Sequence, residues 1–281
     1  MARLLWIALL AACVTPPALR AELRLETVGL QGLSVQYAQA GLTHGPLVVF
    51  VHGTPGSLDA FAGYLEDAAL QARARLIALD RPGFGGSAND AMPPPFAVQA
   101  QVVEDLVTHL NPADQPVVVV GHSLGGSIAY RVAANAPAWL DGIVAVSSNI
   151  DPSFGAPRWY NRLAALPLIR WLVPGSLKRA NVEIMPLRAA LAATAADLPA
   201  FTGRVVVIHG ERDGLVRADN MDRITDLIAA ERLTRVRVAD VGHFVLWERP
   251  ALIRDQILAL LDELGDEPSS SSAVPAAQEL R

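Results

Sequence analysis

The stretch Val117-Val118-Val119-Val120-Gly121-His122-Ser123-Leu124-Gly125 decides the fold of this chain. Its valine run is typical of a strand buried on both faces of a parallel sheet. The residues from Leu124 to Ala136 that follow it predict a helix. In the pattern G-x-S-x-G, the sharp turn between strand and helix holds a serine hydroxyl above the sheet. We therefore predict that Ser123 is a nucleophile; the alternative is a turn serine that merely caps the helix.

A nucleophilic serine needs a general base and an acid that orients the base. Two further β-branched runs precede candidates for these roles: Val205–Ile208 comes before Asp213, and Val236–Val238 comes before His243. Both candidates lie just past the carboxyl ends of strands, where open α/β sheets place their sites. We predict that His243 takes the serine proton and that Asp213 orients it. The alternative acid is Asp151, which follows an earlier strand, and the alternative role of His243 is structural.

The loop His52-Gly53-Thr54-Pro55-Gly56 follows the apolar run Leu47–Val51. A tetrahedral oxyanion needs backbone N–H donors, one from such a loop and one from the residue after the nucleophile. We therefore predict an oxyanion hole formed by the N–H groups of Thr54 and Leu124. His52 is expected to brace the loop rather than to react.

Four segments, taken together, resemble the α/β-hydrolase superfamily of serine hydrolases. The segments are His52-Gly53-Thr54-Pro55-Gly56, Asp80-Arg81-Pro82-Gly83-Phe84-Gly85-Gly86-Ser87, Gly121-His122-Ser123-Leu124-Gly125-Gly126 and Val241-Gly242-His243-Phe244. They occur in the family's order, and the resemblance extends from about Leu25 to Leu264. It implies an α/β-hydrolase fold but not a substrate, because this fold hosts several activities. The first loop also resembles epoxide hydrolases and dehalogenases, whose nucleophile is an aspartate, and Ser123 argues against both.

Apolar runs alternate with helical patterns along the chain, which predicts a mostly parallel, doubly wound sheet in one domain over residues 22–264. Glu22–Val28 and Leu33–Ala38 are expected to form an antiparallel pair. Predicted helices span Leu58–Leu70, Val98–Leu110, Leu124–Ala136, Asn220–Arg232 and Ala251–Leu264. Residues 151–200 exceed the length of a simple crossover. We expect them to form a small helical cap whose apolar side chains bind an acyl or alkyl group.

The N-terminus resembles an export signal of the lipoprotein type. Leu4–Ala12 is apolar, and Leu10-Ala11-Ala12-Cys13 resembles the bacterial lipobox. Cys13 is the only cysteine in the chain. We predict that residues 1–21 are a signal and tether, that Cys13 is lipidated, and that the enzyme is held at a membrane surface of the cell envelope. The alternatives are a soluble periplasmic or secreted protein, cut near Ala21, and a retained anchor. The tail, residues 265–281, is expected to be disordered.

Composition excludes some classes of partner. The net charge is −5 and no basic stripe occurs, so we expect no nucleic acid partner. The six histidines show no metal-binding spacing, so we expect no metal and no cofactor. The sequence thus predicts a serine hydrolase that cleaves carboxylic esters of small or medium apolar substrates through an acyl-enzyme. The alternatives are a lactonase, a thioesterase or a C–C bond hydrolase on the same triad or, in a different class, a non-catalytic binding protein. The oligomeric state stays open.

Overall fold

The structure, a computed structural model, describes residues 24–88, 92–110 and 115–266. The predicted signal and tether, with Cys13, and the tail beyond residue 266 lie outside the described residues. Within those ranges, eight strands form one sheet in the order β1-β2-β4-β3-β5-β6-β7-β8. The strands are β1 (Arg24–Leu30), β2 (Leu33–Gly41), β3 (Leu47–Val51), β4 (Arg75–Leu79), β5 (Val117–His122), β6 (Gly142–Val146), β7 (Arg204–Gly210) and β8 (Leu233–Val238).

The sheet is parallel from β4 to β8 and antiparallel only at its first edge. β1 pairs with β2 and β2 pairs with β4 in antiparallel fashion, whereas every other pairing is parallel. Every residue of β3, β5 and β6 is buried. Their alternate side chains enter two apolar clusters, with Val49 and Val119 on one side and Val48 and Val118 on the other. The predicted fold class, a mostly parallel, doubly wound α/β sheet, is confirmed.

The helices lie between the strands on both faces of the sheet. They are α1 (Ala62–Leu65), α2 (Ala68–Gln71), α3 (Phe96–Leu110), α4 (Leu124–Ala134), α5 (Trp159–Ala165), α6 (Pro167–Arg170), α7 (Gly175–Ile184), α8 (Leu187–Asp197), α9 (Asn220–Ile224), α10 (Val245–Glu248) and α11 (Pro250–Asp266). α3 and α4 contribute to the first apolar cluster, and α11 contributes to the second. Short 3-10 turns supplement them, among them Leu58–Phe61, Pro152–Phe154 and Ala230–Arg232.

Two predicted helices are wrong as single elements. The predicted helix over Leu58–Leu70 divides because the carboxylate of Asp67 accepts the N–H groups of Ala69 and Leu70, at 2.9 and 3.0 Å, and so begins a new helix. The predicted helix over Asn220–Arg232 ends early. There the hydroxyl of Thr225 donates to a backbone carbonyl at 2.6 Å, a local bond that competes with the helical pattern.

Helices α5 to α8 lie between β6 and β7, where the sequence predicts a helical cap. We call residues 151–201 the insertion. Its apolar contact with the rest of the domain includes Leu187 and Leu191, which pack with Leu124 at the start of α4. By contrast, α5 and α6 bury none of their residues. Of the helices in the described ranges, none is long and apolar enough to cross a bilayer.

Candidate active site

Ser123 occupies a strained turn between β5 and α4. Its φ of 54° and ψ of −121° lie in a region that a side chain rarely adopts. The turn is also tightly packed: a Cβ on Gly121 would lie 2.3 Å from the carbonyl oxygen of Gly125, and one on Gly125 would lie 2.0 Å from that of Val51. Only glycine therefore fits on either side of the serine. Ser123 is half-buried, which leaves it accessible at the carboxyl edge of the sheet.

Asp213 and His243 come together from the loops after β7 and β8. The Nδ1 atom of His243 lies 2.8 Å from Oδ2 of Asp213. The other carboxylate oxygen of Asp213 accepts the N–H groups of Leu215 and Val216, both at 2.8 Å. These bonds fix the carboxylate, which in turn orients the imidazole ring. The chain order serine, aspartate, histidine is that of the α/β-hydrolase triad.

The surroundings of Asp213 keep its carboxylate ionised. Burial by itself would raise the pKa of Asp213, but hydrogen bonds from His209 and His243 outweigh it, and the pKa is lowered well below its usual range. An ionised carboxylate beside Nδ1 selects the tautomer of His243 whose Nε2 atom is free to accept a proton. This is the tautomer that a general base requires.

His209 is a partner of Asp213 that sequence reasoning missed. Its side chain is fully buried. Its Nε2 atom lies 3.0 Å from the carbonyl oxygen of Val216 and 3.2 Å from Oδ2 of Asp213. Its Nδ1 atom has no hydrogen-bond partner. The spacing His209-Gly210-Glu211-Arg212-Asp213 was the available signal, because a tight turn after a strand brings residues four apart together.

His122, the residue before Ser123, contacts His243 and so joins the serine turn to the loop after β8. The Nε2 atom of His122 lies 3.1 Å from the carbonyl oxygen of His243, and the two rings are 5.0 Å apart. On its other side, the ring of Trp247 stands edge-on at 4.9 Å. Burial first, and the neighbouring imidazole of His243 second, lower the pKa of His122 to about 3. His122 is therefore a neutral spacer that holds the loop of His243 against the serine turn.

The predicted oxyanion loop lies against the same turn. A Cβ on Gly53 would be 3.0 Å from Cβ of Ser123, so the chain bearing Thr54 passes directly beside the nucleophile. Leu124 is the first residue of α4, so its N–H has no acceptor within that helix. The structure thus brings the chain that bears Thr54 beside Ser123 and leaves the N–H of Leu124 without a helical acceptor, and an oxyanion hole needs donors at such places.

His52 holds the oxyanion loop from beneath. Its Nδ1 atom donates to the carbonyl oxygen of Gly53 at 2.7 Å, and its Nε2 atom accepts the N–H of Arg81 at 3.0 Å. Burial, followed by the charge of Arg81, lowers the pKa of His52 well below its usual range. The ring is therefore neutral. These contacts agree with a bracing role.

A buried ion pair joins this loop to the insertion, and sequence reasoning did not find it. Arg81 donates to the carbonyl oxygens of His52 and Gly53 at 2.8 and 2.9 Å. The same guanidinium pairs with Glu183 of α7, and the two side chains are only 1% and 3% exposed. Gln99 of α3 completes the cluster by donating to Glu183 at 2.8 Å. A signal was present, since Glu183 is the only acidic residue between Asp151 and Asp197.

Asp151, the alternative acid, has a different partner. Its carboxylate accepts the N–H of Ser153 at 2.7 Å and so caps the short turn Pro152–Phe154. The carboxylate bonded to Nδ1 of His243 is that of Asp213. Among the residues that the structure describes, no three histidine, cysteine or acidic side chains are grouped so as to hold a metal ion.

Comparison with known proteins places this geometry in a family. The model of the Alpha/beta hydrolase family matches residues 48–256. The AB hydrolase superfamily protein YfhM of Bacillus subtilis is 25% identical over 126 residues, which are 44% of this chain and 43% of that protein. The chain spans less than half the length of the first curated relatives it matches.

Solved structures share the fold. A crystal structure described as a membrane phospholipase A, a novel bacterial virulence factor, has a TM-score of 0.67 at 19% identity, over 95% of this chain and 98% of that one. A putative aryl esterase from Burkholderia cenocepacia has a TM-score of 0.65 at 22% identity, over 85% of this chain and 100% of that one. From the family match over most of its length, we conclude that this chain belongs to the alpha/beta hydrolase family.

Proposed function

We propose that the protein is a serine hydrolase that cleaves carboxylic esters of small or medium apolar substrates through an acyl-enzyme. Family membership supports hydrolase activity in general. The observation that carries the ester proposal is the hydrogen bond of 2.8 Å between Asp213 and His243, beside a serine with a φ of 54°. A neutral histidine oriented by an ionised, buried carboxylate is how a weak serine nucleophile is activated.

In the proposed mechanism, the hydroxyl oxygen of Ser123 attacks the ester carbonyl carbon while Nε2 of His243 takes the hydroxyl proton. The negative charge on Asp213 stabilises the imidazolium. The N–H groups of Thr54 and Leu124 bind the oxyanion. His243 then returns the proton to the leaving alcohol, and the acyl group stays on Ser123. A water molecule attacks the acyl-enzyme with the same proton relay and releases the acid.

The experiment that tests this function combines a label with a substrate panel. A fluorophosphonate probe should label the wild-type chain at Ser123, and Ser123→Ala should not be labelled. p-Nitrophenyl esters of increasing acyl length, a lactone and a thioester would then rank the activities. Preferential turnover of the lactone or the thioester would favour those alternatives, and cleavage of a C–C bond substrate would favour the third.

A second class of function is a binding protein that retains the fold. The bonded Asp213–His243 pair argues against it, because a binder has no need to fix an imidazole tautomer. If the folded wild type neither takes the fluorophosphonate label nor turns over any substrate of the panel, the binding protein becomes the better explanation.

The location of the protein is a separate proposal. We propose that Cys13 carries a lipid that holds the enzyme at the cell envelope, because the lone cysteine ends the stretch Leu10-Ala11-Ala12-Cys13. When the chain is expressed in a bacterium with its own leader, wild type should fractionate with membranes and Cys13→Ala should not. Wild type found free in the periplasm, beginning beyond Cys13, would contradict lipidation.

A further inference from the structure

Helices α5 and α6 carry large apolar side chains that nothing in the domain covers. Trp159, Leu168 and Trp171 are 74%, 81% and 71% exposed, and neither helix buries a residue. A helix on a globular protein ordinarily buries its apolar stripe, and large exposed apolar patches mark interaction sites. We define the exposed apolar face as Trp159, Tyr160, Leu163, Leu166, Leu168 and Trp171, all of which are exposed.

These side chains lie close together along the chain. Trp159, Leu163 and Leu166 follow each other at the spacing of one helix side. The rings of Trp159 and Tyr160 stand 5.9 Å apart. The chain continues from α5 into α6 with a single break, at Leu166, whose carbonyl accepts the N–H of Arg170 at 2.8 Å. The exposed apolar side chains therefore lie on two consecutive helices that a single residue separates.

The charge around this face indicates its partner. Residues 158–182 contain Arg158, Arg162, Arg170, Lys178 and Arg179 but no acidic residue, whereas the whole chain has a net charge of −5. The three arginines among them at positions 158, 162 and 170 are exposed. Tryptophan and leucine on one side with arginine around them is the composition of helices that lie in a membrane interface, and basic side chains are attracted to anionic lipids.

We propose that the exposed apolar face docks on the surface of an anionic lipid bilayer. A second copy of this chain is a poorer occupant, because self-association would bring the same cluster of cations face to face. The insertion follows the carboxyl end of β6, at the sheet edge that carries Ser123, Asp213 and His243. Docking therefore turns that edge towards the lipid. The docking does not depend on the proposed activity.

A site-specific fluorescent label tests this contact without interference from the N-terminus. Full-length chain with Cys13→Ser has no other cysteine, so a polarity-sensitive probe can be attached at Leu168→Cys alone. The matched control is Leu42→Cys, which is 37% exposed in the wild type. Leu42 follows the end of β2, where Gly41 pairs with the first residue of β4, at the opposite edge of the sheet. Vesicles contain phosphatidylglycerol and phosphatidylcholine in equal parts, or phosphatidylcholine alone.

The label at 168 should shift to the blue on the anionic vesicles, and the label at 42 should not. The double variant Arg162→Gln/Arg170→Gln should lower the affinity for the anionic vesicles, measured by titrating the label at 168 with lipid, about fivefold per arginine. Trp159→Ser should lower the same affinity about tenfold, because its apolar contact with the lipid is lost. No shift at 168, or equal shifts at 168 and 42, overturns the proposal whether or not the N-terminus holds the chain on the vesicle. A vesicle-independent shift that grows with protein concentration, together with a sedimenting dimer, overturns it in favour of self-association.

Discussion

The turn that carries Ser123 and the helices α5 and α6 are built in opposite ways. Around the serine, a single added Cβ on Gly121 or Gly125 would collide with backbone, and the neighbouring strands are wholly buried. In α5 and α6, no side chain is buried at all. The difference shows that close packing fixes the atoms of the proposed chemistry, while the insertion keeps much of its surface available for a partner.

Helices α7 and α8 of the insertion contact the surroundings of the Ser123 turn. Leu187 and Leu191 pack on Leu124, and Glu183 reaches the guanidinium of Arg81, which in turn holds the carbonyl of Gly53. Both contacts end on predicted oxyanion elements, namely the first residue of α4 and the loop after β3. The insertion also reaches the loop that holds Asp213, because the guanidinium of Arg158 donates to the carbonyl oxygen of Leu215 at 3.1 Å. Movement of the insertion would therefore act on the oxyanion elements and on the Asp213 loop alike.

The largest effect is expected at the rigid turn. Ser123→Ala should lower kcat for ester hydrolysis by about 10⁴- to 10⁶-fold, because no nucleophile remains while the fold is kept. Initial rates with a p-nitrophenyl ester measure it, and circular dichroism of the variant checks the fold. A folded variant that keeps more than about a tenth of the activity would show that Ser123 is not the nucleophile.

The second-largest effect distinguishes the carboxylate of Asp213 from that of Asp151. Asp213→Asn should lower kcat by about 10⁴-fold with a modest change in KM, because an amide beside Nδ1 favours the wrong tautomer of His243. Asp151→Asn, at the start of the insertion, is the matched control and should change kcat little, since its carboxylate only caps a turn. The reverse pattern would move the acid to the earlier strand.

A smaller effect is expected at the buried ion pair of Arg81 and Glu183, which joins the insertion to the oxyanion loop. Glu183→Gln should lower the free energy of unfolding by about 3 kcal/mol, because it leaves Arg81 buried without a counter-charge. Asp197→Asn removes a carboxylate that is 53% exposed from its pair with Arg131 and should cost less than about 1 kcal/mol. Urea unfolding followed by circular dichroism measures both variants. Equal effects would mean that the Arg81–Glu183 pair stabilises the fold no more than a surface pair does.

The smallest effect is the dependence of stability on pH that arises from His122. The folded protein keeps His122 neutral, with its pKa lowered to about 3, whereas the unfolded chain protonates it near pH 6.5. The unfolded state therefore binds more protons, and the stability from this group is lost as pH falls from about 6.5 towards 3, by up to about 1.4 kcal/mol per pH unit. Between pH 7 and 5, His122→Gln should lose less unfolding free energy than wild type. An unchanged pH dependence would contradict a neutral, buried imidazole.

Much of the fold could be predicted because each buried strand has its own local pattern of β-branched residues. The β-branched runs over Val117–Val120 and Val205–Ile208 have no polar position, so they are strands buried on both faces wherever they pair. The helix over Leu58–Leu70 failed for an equally local reason, namely that Asp67 bonds the N–H groups of the next turn. Apolar periodicity does not register such a cap inside a continuous pattern.

The sequence by itself determined that Ser123 stands on a strand-to-helix turn, and that Asp213 and His243 follow strands. These are statements about neighbours along the chain. Only the tertiary structure decided that Asp213 rather than Asp151 bonds His243, and that Arg81 pairs with Glu183. Each of these contacts joins loops or helices from separate crossovers, and a hydrogen bond requires its partners within about 3 Å. No spacing in the chain sets that distance, which follows from the twist and packing of the assembled sheet.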